Sequence, residues 1–164
     1  MSESLENVFY QKLKGIFMKI GIICATEREL LPFGTVIKKR TYSKKALLTV
    51  CEGEVNGFPV AALYCGVCKV NAALATQILI SVYGCDTIIN SGTAGGLDSR
   101  LGVFSVVVAT ELTYHDVAKE ILTEYHPWHA SGFFSSDAVL LETAKRISEQ
   151  RKDVFFGRMV TGEQ

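Results

Sequence analysis

The sequence predicts an α/β fold with a mixed, mostly buried central sheet flanked by helices. Three observations carry that expectation. Short continuous apolar runs of strand length alternate with helix-length amphipathic stretches, the pattern of a sheet covered on both faces. Two β-rich runs are joined by Glu54-Val-Asn-Gly57, a hairpin signal that places antiparallel pairing in that sheet. Glycine-rich Ser91-Gly-Thr-Ala-Gly-Gly96 follows directly on a short apolar strand, the place where open α/β sheets bind ligands.

Lys19-Ile-Gly-Ile-Ile23 reads as the first strand. Thr26 then suits an N-cap, with Glu29 three residues on at capping-box spacing. Pro32 and Gly34 weaken continuation of that helix. Ala46–Cys51 and Phe58–Cys65 form the hairpin arms. Lys69–Tyr83 places Val70, Ala73, Leu74, Ile78 and Val82 at helical spacing, and Gly84 ends the helix. Thr87-Ile-Ile-Asn90 is a buried strand, Val103–Ala109 another, Ala138–Glu149 a helix and Val154–Val160 a final strand. Residues 1–17 read as an N-terminal extension, with Leu5, Val8, Phe9, Leu13, Ile16 and Phe17 in roughly helical spacing. Met18 is a natural start.

The 164 residues suit one domain, with 48% hydrophobic and 21% charged residues, an ordinary globular balance. Lys+Arg and Asp+Glu are both 17, so no net field draws in nucleic acid or an anionic membrane. No apolar run reaches the ~18 residues of a membrane span, and the first residues do not resemble a signal peptide. A soluble protein is expected. The five cysteines, Cys24, Cys51, Cys65, Cys68 and Cys85, are an odd number among apolar neighbours, which suits free buried thiols in a reducing compartment. Cys65 and Cys68 have redox or zinc spacing, but a zinc site wants a second such pair or nearby histidines.

Few residues offer chemistry. Glu29 has two readings: a carboxylate closing a capping box, or a general base at the rim of the sheet. Gly92, Gly95 and Gly96 let the backbone approach a ligand closely, or simply make a tight connection. Neither GxGxxG nor a P-loop is present, which argues against a dinucleotide-binding domain. Tyr114-His-Asp116 falls just past a strand, without a nucleophile to complete a triad. His126 and His129 flank Pro127-Trp128, too few ligands for a metal. Trp128, Phe133 and Phe134 suit a pocket, an interface or loop anchoring equally.

Several of these motifs in order resemble one family. Met18-Lys-Ile-Gly-Ile-Ile-Cys-Ala-Thr-Glu-Arg-Glu29 is similar to the opening of bacterial 5′-methylthioadenosine/S-adenosylhomocysteine nucleosidases, in the purine/uridine nucleoside phosphorylase superfamily. Cys65-Gly-Val-Cys-Lys-Val-Asn-Ala-Ala73 is similar to their Gly-Ile-Gly-Lys-Val-x-Ala-Ala segment, and Ile88–Gly96 and Tyr114–Asp116 follow at matching spacing. The resemblance runs from Met18 onward, making residues 18–164 the N-terminal part of one nucleoside phosphorylase-like domain. It implies hydrolysis of the N-glycosidic bond of methylthioadenosine and adenosylhomocysteine with release of adenine, and no metal or organic cofactor. It assigns Glu29 to the attacking water, Thr93, Ala94 and Gly95 to purine and ribose, and Ala25, Thr26 and Val67 to the ribose and 5′-alkylthio group. It further implies a cytoplasmic homodimer acting in methionine salvage, with a small-molecule nucleoside as ligand and no nucleic acid or membrane partner.

The chain departs from the family where Thr26 replaces methionine and where Cys24 and Cys68 replace glycine. The family's purine-stacking phenylalanine, ribose-binding glutamate and leaving-group aspartate come later than Thr161-Gly-Glu-Gln164. A fold incomplete at its C-terminus, with an exposed sheet edge and little or no activity, is therefore expected. Two rivals stay open. A purine or uridine nucleoside phosphorylase needs cationic or N–H donors for phosphate, and Arg28 is near the first loop. A non-catalytic nucleoside-binding or assembly module needs no Glu29 chemistry.

Overall fold

The computed structural model describes residues 18–125 and 131–163, in two compact units that divide between Ala94 and Gly95. The extension 1–17 and the His126–Trp128–His129 cluster lie outside the described residues.

The first unit is a mixed sheet flanked by helices, as the sequence predicts. Its elements are β1 (Ile20–Cys24), α1 (Glu27–Val36), β2 (Lys38–Lys45), β3 (Leu48–Val55), β4 (Phe58–Tyr64), α2 (Lys69–Ser81) and β5 (Thr87–Asn90). The strand order is β2-β3-β4-β1-β5. β1 pairs in parallel with β4, Ile20 opposite Val60, and with β5, Ile20 opposite Thr87. β3 is antiparallel to both β2 and β4. Alternation along the strands sends side chains to opposite faces. Ile23, Val50, Ala61 and Leu63 meet Ala75 and Leu79 of α2 on one face. Ile22, Cys24, Cys51, Val60 and Ala62 meet Ile37 on the other, with Leu30 and Phe33 of α1 packed partly against them.

α1 runs through Pro32 to Val36, where the sequence suggests weakening. The proline removes only one N–H from the ladder, and Phe33 still accepts the closing bond from Ile37 N–H at 3.0 Å. Ile37 is itself buried, which ties the end of the helix to the sheet. α2 ends at Ser81 rather than Tyr83, and Gly84 takes φ +67° just beyond it. Cys85 N–H returns to Leu79 O at 3.0 Å.

β2 has no sequence counterpart among the expected elements. Lys-Lys-Arg-Thr-Tyr-Ser-Lys-Lys is exposed throughout, so no apolar alternation marks it. It is an edge strand held by its ladder to β3, and its cations discourage further strands from joining. The turn before β3 carries Ala46 at φ 46° and Leu47 at φ 70°, whereas the β3–β4 turn uses Asn56 at φ 50° and Gly57 at φ 81°. The second turn has the residues this left-handed geometry favours, and the first does not. Replacing Ala46-Leu47 by Asn-Gly should stabilise the protein by about 1–2 kcal/mol, read from urea unfolding. Leu47 is fully exposed, so no packing is lost with it.

The second unit contains β6 (Val106–Tyr114), α3 (Lys119–Glu124), β7 (Phe134–Ser135), α4 (Ala138–Ser148) and β8 (Val154–Thr161). β6 is central, antiparallel to β7 and parallel to β8 from Val106↔Val154 to Tyr114↔Thr161. The strand expected at 103–109 therefore starts three residues later and extends to Tyr114. Gly102–Ser105 forms a turn, with Ser105 N–H on Gly102 O at 3.1 Å, so Val103 and Phe104 project outward. At the polar end of β6, pairing with β8 and the Arg158–Glu111 ion pair at 2.8 Å replace the apolar signal. The short α3 and two-residue β7 carry too little pattern to be read from sequence. α4 starts as expected, with Asp137 Oδ1 accepting from Val139 N–H and Leu140 N–H, both at 2.9 Å.

Candidate active site

The three parallel strands β4, β1 and β5 end side by side, and backbone bonds tie their exits together. Cys65 N–H donates to Cys24 O at 2.9 Å, Gly66 N–H to Ala25 O at 3.0 Å, and Ser91 N–H to Ile23 O at 2.9 Å. Ala25 and Thr26 thus leave β1, Val67 follows β4, and Thr93 and Ala94 follow β5. Five of the six residues assigned to substrate are brought to one rim. Gly95 follows Ala94 directly in the chain and opens the second unit.

Glu29 lies in the first turn of α1 and closes the capping box with Thr26. Its Oε2 accepts from Thr26 N–H at 2.8 Å, from Ala25 N–H at 3.1 Å and from the Thr26 hydroxyl at 3.1 Å. The other oxygen does something a capping box does not require. Oε1 reaches the loop after β5, accepting Thr93 N–H at 2.8 Å and the Thr93 hydroxyl at 2.9 Å. The helix-capping and site readings of Glu29 are therefore compatible, because one carboxylate offers two oxygens. Gly92 lets the loop come this close: a Cβ there would stand 3.1 Å from Glu29 Oε1.

These donors favour the charged form. The Glu29 carboxyl is held at about 2, below its ordinary 4.5, first by the Thr93 backbone N–H. Burial opposes the shift, while the Thr93 hydroxyl and both Thr26 donors reinforce it. A depressed carboxyl contributes stability above its unfolded pKa and loses it as pH falls through the folded value. Accordingly, Glu29→Gln should destabilise the fold by a constant amount above pH 4.5, with the difference gone near pH 2, as checked by urea unfolding across that range.

The thiols are less uniform than the sequence suggests. Cys24, Cys51 and Cys85 are buried, Cys65 is intermediate, and Cys68 is exposed. Cys68 precedes α2 at φ 93°, outside the packed body of the helix. Burial, then the Glu29 charge, pushes the Cys24 thiol up to about 11, and burial raises Cys65 as well. Both are neutral at physiological pH and are poor nucleophiles.

In the second unit, Tyr114 is the last residue of β6 rather than a loop residue. His115 N–H donates to Thr161 O at 2.9 Å, and Asp116 Oδ2 accepts from Glu163 N–H at 2.9 Å. Tyr114 stacks edge-on against Phe134 at 5.9 Å, and the Arg158 guanidinium lies 4.8 Å from the centre of the Phe133 ring. These two phenylalanines thus anchor the second unit internally.

A mixed α/β sheet that holds a carboxylate between the ends of its parallel strands has it where open α/β sheets bind ligands. The chain belongs to the phosphorylase superfamily, whose family model matches residues 19–164. Among solved structures it is similar to the 5′-methylthioadenosine/S-adenosylhomocysteine nucleosidase of Colwellia psychrerythraea, crystallised with adenine. The two share 33% identity at a TM-score of 0.80, over 90% of this chain and 63% of that one. The Neisseria meningitidis nucleosidase, in complex with methylthio-immucillin-A, is 31% identical at a TM-score of 0.80, over 89% of this chain and 65% of that one. The Streptococcus pneumoniae enzyme, bound to a transition-state inhibitor, is 28% identical at a TM-score of 0.80, over 90% and 65% of the respective chains. The chain thus spans a little under two thirds of the length of these nucleosidases.

Sequence reasoning named both Glu29 and Thr93 but missed that they bond to each other. No local pattern encodes a contact between residues 64 positions apart.

Proposed function

We propose that this chain supplies the water-handling side of a nucleosidase site, for hydrolysis of the N-glycosidic bond of 5′-methylthioadenosine and S-adenosylhomocysteine. The observation that carries this reading is the Glu29 carboxylate, ionised and fixed between the exits of β1 and β5. Water attacks C1′ as the bond to adenine N9 breaks through an oxocarbenium-like transition state. The carboxylate aligns the water, accepts its proton as the new C–O bond completes, and offsets the positive charge developing on the sugar. The departing adenine takes its proton from solvent, and the Glu29 carboxyl returns the one it accepted to solvent, so the step balances. Ala25, Thr26 and Val67 border the ribose and its 5′-alkylthio group, and Thr93, Ala94 and Gly95 the purine and ribose. Apolar Val67 suits a thioether tail.

Phosphorolysis is the weaker reading. A fixed carboxylate at the attacking position repels a phosphate dianion. We further place the protein in the cytoplasm, in methionine salvage, as a homodimer whose partner closes the alkylthio pocket. Five free thiols support a reducing compartment. Val67, Val70 and Leu74, exposed along one side of α2 and the loop before it, support an apolar partner surface. Among the described residues no helix is long and apolar enough to cross a membrane.

The test is incubation with methylthioadenosine, with and without phosphate. Phosphate-independent adenine release supports the nucleosidase, whereas release only with phosphate moves the assignment to a phosphorylase. Nucleoside binding without turnover, unchanged in Glu29→Gln, would instead make it a binding module.

A further inference from the structure

The two oxygens of Glu29 are held in unlike ways. All three donors to Oε2 come from Ala25 and Thr26, the residues leading into α1. A carboxylate oxygen has two lone-pair directions, so Oε2 is saturated from that side. The Thr26 hydroxyl is tied at both ends, accepting Glu29 N–H at 3.4 Å while donating to Oε2 at 3.1 Å. Oε1 instead holds one backbone N–H and one hydroxyl, both from exposed Thr93. A hydroxyl can rotate aside and yield its place to another O–H donor, but a backbone N–H cannot.

We propose that Thr26 is a positioning residue: its hydroxyl commits Glu29 Oε2 to the helix start, so that a ligand O–H is received by Oε1 in place of the Thr93 hydroxyl. The ligand group is a water or sugar hydroxyl, and the role rests on Glu29 acting as proposed above. Other groups around the carboxylate do not supply this effect. Cys24 and Cys65 face it as neutral thiols, both raised by burial. On α1 itself, Glu27 and Arg28 are exposed neighbours.

Three full-length variants separate positioning from helix capping. Thr26→Val removes both the cap and the donor. Thr26→Gly keeps an N-cap about as good as threonine but has no side-chain donor to Oε2. Thr26→Ser keeps both. The readouts are the Glu29 carboxyl titration, followed by ¹³C NMR, and the pH profile of kcat/KM for methylthioadenosine. The Val and Gly variants should both titrate Glu29 towards the ordinary carboxylate range and carry the acidic limb upward with it. Their kcat should fall on the order of tenfold, the worth of one hydrogen bond to a charged group, with KM little changed. Serine should restore the wild-type titration and rate. A Gly variant that titrates like wild type would reduce Thr26 to a helix cap and overturn the proposal. The titration needs no turnover, so the NMR result decides the role of Thr26 whether or not the chain cleaves methylthioadenosine.

Discussion

Glu29→Gln is expected to slow nucleoside hydrolysis by on the order of 10²–10⁴-fold, the usual contribution of a general base. Glutamine keeps the size of the side chain but brings one acceptor oxygen where the site presents donors to two. Whichever way the amide turns, its NH₂ faces either the Thr93 N–H and hydroxyl or the three donors at Ala25 and Thr26. It also carries no charge to balance the oxocarbenium-like transition state. Single-turnover rates with methylthioadenosine measure the loss, and circular dichroism confirms that the variant is folded. A folded Glu29→Gln protein with an unchanged rate would remove Glu29 from the chemistry.

Leu63→Ala should produce the largest loss of stability, about 2–5 kcal/mol, as for other fully buried leucines. Leu63 has no exposed surface and packs in β4 with Ile23, Ala75 and Leu79. It also lies two residues before Cys65, where the chain turns to carry Val67 to the rim. Weaker packing there should loosen the site along with the fold. Urea unfolding gives the stability change, and an unchanged m-value shows that the same surface is exposed. A loss below about 1 kcal/mol would mean that this face of the sheet is not close-packed.

Much of the scaffold was legible because its elements satisfy local rules. Thr26 and Glu29 have capping-box spacing and form one, Asn56-Gly57 forms a left-handed turn, and the strand expected at 87–90 has those bounds, although Ile89 and Asn90 are exposed where a buried strand is expected. β2 escaped notice because its stability comes from a ladder with β3 rather than from apolar alternation. β6 was displaced because an exposed turn at Gly102–Ser105 holds the first apolar residues of the run, while β8 recruits its polar end.

The candidate site divides in the same manner. The presence of Glu29 after β1 and of a glycine loop after β5 can be read from the chain, and their adjacency follows once those strands pair in parallel. That Glu29 serves both as helix cap and as a bridge to Thr93 is a tertiary fact. Sequence spacing posed helix cap and general base as rivals, whereas the geometry leaves room for both, with Oε2 at the helix start and Oε1 towards the loop after β5.

The central claim, that water held by Glu29 is the nucleophile, is tested most directly by cleavage in ¹⁸O-enriched water with phosphate present. One ¹⁸O atom is expected at the anomeric hydroxyl of the released methylthioribose, with the label appearing at a far lower rate in Glu29→Gln. A sugar 1-phosphate free of label would contradict water as the nucleophile.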